Sequence, residues 1–128
     1  MAFLHDDVRD EGLDWIKAIA DANNLDLHIC SAEPTTYTQA ITTYSLGQKE
    51  NIACGAPAAD GSDGRRVQIA AVTDGVVDGT DDATHQALVD TDGTVLVGVQ
   101  ALSGGGEAVT SGNTFTTSAF YITIPDTA

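Results

Sequence analysis

The spacing of apolar positions changes near residue 24. Around "HDDVRDEGLDWIKAIADA", residues 5 to 22, Leu4, Val8, Trp15 and Ile19 recur at helical intervals, and Leu13, Ile16 and Ala20 widen the stripe. This predicts one amphipathic α-helix. Asp6 or Asp7 can cap its start, where acidic side chains also suit the positive end of the helix dipole. Asn23 and Asn24 are stop residues, and Gly12 is a weak point inside the helix.

From Leu25 onward the period is two. "LDLHICS" sets Leu25, Leu27 and Ile29 on one face and Asp26, His28 and Cys30 on the other, a strand pattern. "EPTTYTQAITTYSLG" predicts a loop, since Pro34 blocks regular pairing. A short helical turn near Thr38 to Ile41 and a strand around Thr43 to Leu46 follow, with another short strand in residues 48–54. "GAPAADGSDGR", Gly55 to Arg65, reads as a surface loop. Beyond it, "RVQIAAVT" alternates through Val67, Ile69 and Ala71, and "DGVVDGTDD" reads as a turn-rich crossing. "THQALVD" and "TVLVGVQAL" flank Thr91-Asp92-Gly93, a strong hairpin signal. "SGGGEAVTSGN" reads as a glycine-rich connection. "TFTTSAFYITIP", Thr114 to Pro125, reads as the longest strand, with Phe120, Ile122 and Ile124 on one face together with Thr116 and Ser118.

Short strands separated by Gly/Asp turns predict a mainly β fold: a β-sandwich or small barrel of short antiparallel strands with one N-terminal α-helix. The length suits a single domain, residues 1–128. Within it we distinguish a helix region (1–24), a strand and loop region (25–54), the surface loop (55–65) and a β-rich core (66–126). With 42% apolar residues but only 5% aromatic ones, the core must be built mainly from Val, Ile, Leu and Ala.

Charge narrows the choice of partners. Nineteen acids face five bases, Arg9, Lys17, Lys49, Arg65 and Arg66, for a net charge of −14. Nucleic-acid affinity comes largely from cations that displace counterions, so this chain is not expected to bind DNA or RNA, and anionic membrane surfaces are disfavoured likewise. The acidity suits solubility, or a basic partner surface. "MAFLHDDVRDEG" lacks the basic flank and apolar run of a signal peptide, and no stretch approaches the roughly 20 apolar residues of a membrane span. Synthesis in the cytoplasm without export is the expectation.

Candidate chemistry is sparse. Cys30 and Cys54 have neither disulfide-framework nor zinc spacing and read as small buried hydrophobes, although a bridge between them stays open. Asp74, Asp78, Asp81 and Asp82 cluster, and Asp60, Asp63, Asp90 and Asp92 lie in other turns, yet no calcium-loop signature accompanies them. Backbone-bonding turn residues explain them. His5, His28 and His85 are scattered, and His28 and His85 read as packed structural residues. No nucleophile elbow or phosphate loop occurs, so no catalytic residue, cofactor or metal ligand is assigned and an enzyme is not expected. Arg65 and Arg66 stand together at the start of a strand. The plain reading is a solvated strand end, and the functional one is an anchoring pair for an acidic partner surface.

"LHICSAEPTTYTQAITTYSLG", "GRRVQIAAVTDGVVDGTDDATHQALVD" and "AVTSGNTFTTSAFYITIPD" resemble segments of small proteins encoded in the structural gene clusters of tailed bacteriophages and prophages. The resemblance runs from about Leu4 to Asp126 and brings no catalytic signature with it. It implies a virion component, with a capsid decoration or cement protein on the outside of the head favoured over a tail, fibre or neck protein. The partners then implied are the major capsid protein and further copies of the chain, a homotrimer by analogy with decoration proteins. A carbohydrate- or surface-binding β-sandwich module is the alternative of another class. It is weakened by the scarcity of aromatics: the tyrosines are only Tyr37, Tyr44 and Tyr121. A hydrolase ranks third.

Overall fold

A computed structural model describes residues 3–4, 12–59, 65–102 and 106–124. In chain order the elements are β1 (Phe3–Leu4), α1 (Leu13–Asp21), β2 (Leu25–Cys30), one π-helical turn (Gln39–Thr43), β3 (Ser45–Lys49), β4 (Ala58–Ala59), β5 (Arg65–Ile69) and β6 (Val72–Val77). There follow β7 (Asp81–Ala83), β8 (His85–Asp90), β9 (Val95–Ala101), β10 (Glu107–Val109), β11 (Thr114–Thr117) and β12 (Phe120–Ile124). The large sheet has the order β1-β9-β8-β2-β3-β6-β11 and the small one β12-β5-β4, while β10 and β7 form a separate pair. All pairings are antiparallel. The fold is the expected mainly β, sandwich-like body of short antiparallel strands with one N-terminal helix.

The core lies between the two sheets. Leu25, Leu27 and Ile29 of β2 point there and meet Val67 and Ile69 of β5 and Ile122 of β12, all buried. The apolar stripe of α1, Leu13, Ile16 and Ile19, closes the same layer. Each such side chain, once buried, contributes about 1.5–3 kcal/mol. The other face of β2 is covered too. The segment around the π-helical turn folds back over it, so that Ala40, Tyr37, Ile41 and Tyr44 pack against Cys30, Ala87, Val89, Leu96 and Val99. Asp26, His28 and Cys30, the expected outward set, therefore lie on a face where His28 and Cys30 are buried. The central strand is hemmed in on both sides, and period-two alternation no longer separates core from solvent.

The two sheets share one bent ribbon. β6 pairs with β11 in the large sheet and β5 with β12 in the small one, and both strands bend at the same level, at Ala70–Ala71 and Ser118–Ala119. Register is kept across the corner: Thr117 faces Val72, and Phe120 faces Ile69. This is how strands pass from one layer to the next in sandwiches whose sheets cross steeply. The expected continuous strand from Thr114 is thus, over the described residues, two strands in two sheets, and β9 is the longest described strand. Ala71, expected inward, is exposed at the bend. "DGVVDGTDD" is not all turn either, because β6 runs straight through Asp74-Gly75. The aromatic ring of Phe115 lies over Gly75, where a Cβ would come within 2.2 Å of its Cε1. A cross-strand ring on a bare glycine fills the gap that would otherwise weaken the strand.

The helix starts later than expected. Gly12 is its N-cap, at φ 74°, a left-handed conformation that no helix interior contains. The helical reading of residues 5–11 lies outside the described residues, as do the proposed caps Asp6 and Asp7 and the site of Val8, while Leu4 belongs to β1. The end is as expected. Asn23 adopts φ 62°, its N–H donates to the Ala20 carbonyl, and that of Asn24 donates to Ile19. These are the two closing bonds of a Schellman motif, with asparagine in the left-handed position. The strand expected around Thr43 to Leu46 begins at Ser45, because Gln39–Thr43 is helical. β3 ends at Lys49, and of the strand expected in residues 48–54 there is otherwise only the bridge of Cys54 to Ile69. The stretch read as a surface loop contains β4, and the glycine-rich connection contains β10. The hairpin through Asp92-Gly93 forms as expected, with β8 and β9 flanking it.

Candidate functional site

Arg65 and Arg66 open β5, the central strand of the small sheet. Val67 and Ile69 point into the core, so Arg66 and Gln68 fall on the outer face by alternation. The cross-strand partners of Gln68 and Arg66 are Tyr121 and Thr123. Tyr121 lies diagonal to Arg66, within reach of a long side chain. Its ring, 46% exposed, carries the Arg66 guanidinium at 3.8 Å from the centroid. Arg65 is exposed and donates through its guanidinium to the Pro57 carbonyl at 3.3 Å. The described lysines are held differently: Lys17 pairs with Asp21 along α1, and Lys49 with Asp74 across β3 and β6. The outer face of the small sheet is therefore where positive charge and an exposed aromatic ring coincide.

A second feature lies at the inner side of the ribbon corner. A cavity of about 370 Å³ is bounded by the end of the large sheet, the β7–β10 pair and the bend between β11 and β12. Its walls include Ile29, Gln86, Gln100, Phe115, Thr117 and Phe120. Gln86 and Gln100 are cross-strand neighbours of β8 and β9, and the Gln86 amide donates from Nε2 to Gln100 Oε1 at 2.8 Å. Among the described residues, two buried side-chain polar atoms have no hydrogen-bond partner: Gln86 Oε1 and Thr117 Oγ1. Both residues stand on the wall of this cavity. Leaving a buried acceptor unmet costs about 1–3 kcal/mol, so a coincidence of two such atoms at one cavity calls for an explanation.

The other chemistry-bearing residues serve the fold. His28 Nδ1 lies 2.9 Å from Ser45 Oγ. Burial pushes its pKa down to about 4, against the opposing pull of Asp78 and Glu50. His85 contacts Thr84 Oγ1 at 2.9 Å and lies 3.7 Å from the Glu33 carboxylate. Cys30 and Cys54 are both buried and free, and burial raises their thiols to about 12 and about 11. Burial also raises Asp26, although its carboxylate accepts the Asn51 N–H. Of the aspartates expected in turns, Asp74, Asp81, Asp82 and Asp90 lie in strands; Asp81 and Asp90 accept backbone N–H groups from Asp82 and Asp92, whereas Asp60 and Asp63 lie outside the described residues. Among the described residues no three His, Cys, Asp or Glu side chains are grouped to hold a metal ion, and no helix is long and apolar enough to cross a membrane.

Sequence reasoning singled out the arginine pair but not Tyr121, which joins it only through strand register. It also missed the cavity. One signal was present: in "HQALVD", Gln86 shares the inward parity of Leu88, so a polar amide occupies a core-facing position. Compared with models of known families, with curated proteins and with solved structures, the chain matches none.

Proposed function

We propose that this chain is a structural protein of a bacteriophage virion, acting as a decoration protein that binds the outer surface of the head and braces the shell. The observation that carries the reading is the outer face of the small sheet, where Arg66 stacks on Tyr121, with Arg65 exposed at the strand end next to it, in a chain of net charge −14. Arginine and tyrosine are the residue types in which interface energy concentrates. An acidic patch on a shell subunit is the complementary surface, and the remaining anionic exterior disfavours contact with packaged DNA. The β-sandwich supports the same reading by holding this face rigid on paired strands. Many weak contacts repeated by symmetry then sum to strong attachment. Placement in a tail, fibre or neck is the runner-up, and it uses the same face against a different partner.

Mass spectrometry of separated heads and tails tests the assignment. The chain should travel with heads, and recovery with tails alone would exclude decoration. Within the head reading, Arg66→Glu with Arg65→Glu should weaken attachment at least about tenfold, the scale for losing one charged anchor. The isolated fold should keep its circular dichroism spectrum. Attachment unchanged by both reversals would return the pair to ordinary solvated strand-end residues.

A further inference from the structure

We propose that the cavity at the ribbon corner is a binding site for a neutral polyhydroxylated ligand of mono- to disaccharide size. The inference goes beyond attachment to a particle and does not depend on it, because it uses a different face and different residues. Four observations lead to it.

The volume, about 370 Å³, falls within the range of small-molecule sites. The wall combines aromatic and aliphatic surface, from Phe115, Phe120 and Ile29, with the amides of Gln86 and Gln100 and the hydroxyls of Thr116, Thr117 and Ser118. Sugars present that same mixture, a C–H face and a rim of hydroxyls, and ring faces are where they stack. Of the unpartnered atoms, Gln86 Oε1 only accepts, so the ligand must bring an O–H or N–H donor to it, while the Thr117 hydroxyl can accept or donate. Gln86 is 6% exposed and its amide is bonded to Gln100, so its carbonyl oxygen lies just behind the wall, shielded from solvent.

Charge selects among donors. The acceptors are neutral, and a cation brought among them loses its hydration without a buried carboxylate in return. Glu107 stands on the wall but is solvent-exposed; it repels anions without neutralising a buried cation. A neutral polyol meets both conditions. The two acceptor atoms are shielded from solvent, so ligand engagement involves rotation of wall side chains, with Thr117 turning its hydroxyl toward the cavity. Such rotations are fast on the timescale of binding.

The test is titration of the isotope-labelled protein with glucose, galactose, N-acetylglucosamine and maltose at millimolar concentrations, with glucuronate and glucosamine as charged comparators, followed by amide shifts in NMR spectra. At least one neutral sugar should shift the amides of residues 115–120 together with those of Gln86 and Gln100, with saturation in the millimolar range. Thr117→Val, which keeps the shape and removes the hydroxyl, should lower that affinity about five- to tenfold. Gln86→Leu should abolish the shifts. The wild-type titration reads the site even if a variant fails to fold. The proposal is overturned if no neutral sugar moves these amides, if a charged comparator binds more tightly, or if the shifts survive both substitutions.

Discussion

Acid should destabilise this protein through His28, by an amount the structure allows to be worked out. His28 is 7% exposed in the central strand β2, with Nδ1 held at Ser45 Oγ. Its folded pKa lies at about 4 against an ordinary 6.5. The folded state therefore refuses a proton that the unfolded chain accepts. Above the unfolded pKa both states are neutral and the residue has no effect on the pH dependence. As pH falls from 6.5 toward 4 the unfolded chain gains a proton, and stability is lost; below 4 both states are charged and the loss levels off. At about 1.36 kcal/mol per pKa unit the total loss is about 3 kcal/mol. Asp26 has the opposite sign: its raised carboxyl pKa adds stability as pH falls through the folded value. The comparison that isolates His28 is therefore wild type against His28→Gln, which keeps an amide within reach of Ser45 and does not titrate. Urea unfolding followed by Trp15 fluorescence at several pH values between about 7.5 and about 4 gives both curves. Their difference should be constant above pH 6.5 and should move by about 3 kcal/mol in favour of the variant by pH 4. Curves that stay parallel over that window would refute the account of His28.

Other expectations follow from the packing. Neither Cys30 nor Cys54 should react with a thiol reagent in the native state, and both should react in urea; because burial raises both thiols, their contribution to stability is complete below about pH 9 and declines at higher pH as unfolded thiols ionise. Gly75→Ala should destabilise by about 1–3 kcal/mol in chemical unfolding, because its Cβ meets the Phe115 ring, and Phe115→Leu in the same background should recover part of that loss. Asn23→Ala should cost about 1 kcal/mol at its left-handed φ, whereas Asn23→Gly should be neutral or stabilising, as thermal melts would register.

What the sequence revealed, and what it hid, divides along physical lines. The hairpin from His85 to Ala101 was legible because alternation and an Asp-Gly turn are local signals that agree. So was the end of α1, where two asparagines stand at the required positions. The start of α1 was misread because the apolar spacing runs past Gly12, and spacing carries no information on a positive φ. The bend in Thr114 to Ile124 was invisible because Thr, Phe, Tyr and Ile favour extended structure throughout; the inward parity switches across the corner, from Phe115 to Ile122, after a register shift between Phe115 and Thr117. Gly75 read as a turn residue because the ring that supports it comes from another strand. Arg65 and Arg66 stood out by charge contrast, yet their aromatic neighbour could be found only from the pairing of β5 with β12. The cavity draws on β2, β8, β9 and the ribbon corner, and only the inward parity of Gln86 hinted at it.

Adhesion through the outer face of the small sheet is the function proposed for the chain. The most direct measurement adds purified protein to phage heads stripped of it and follows bound copies and the temperature at which the heads rupture. Saturable rebinding with a raised rupture temperature, both lost in Arg66→Glu, is the predicted result. Heads that take up no protein, or take it up with no change in rupture temperature, would contradict it.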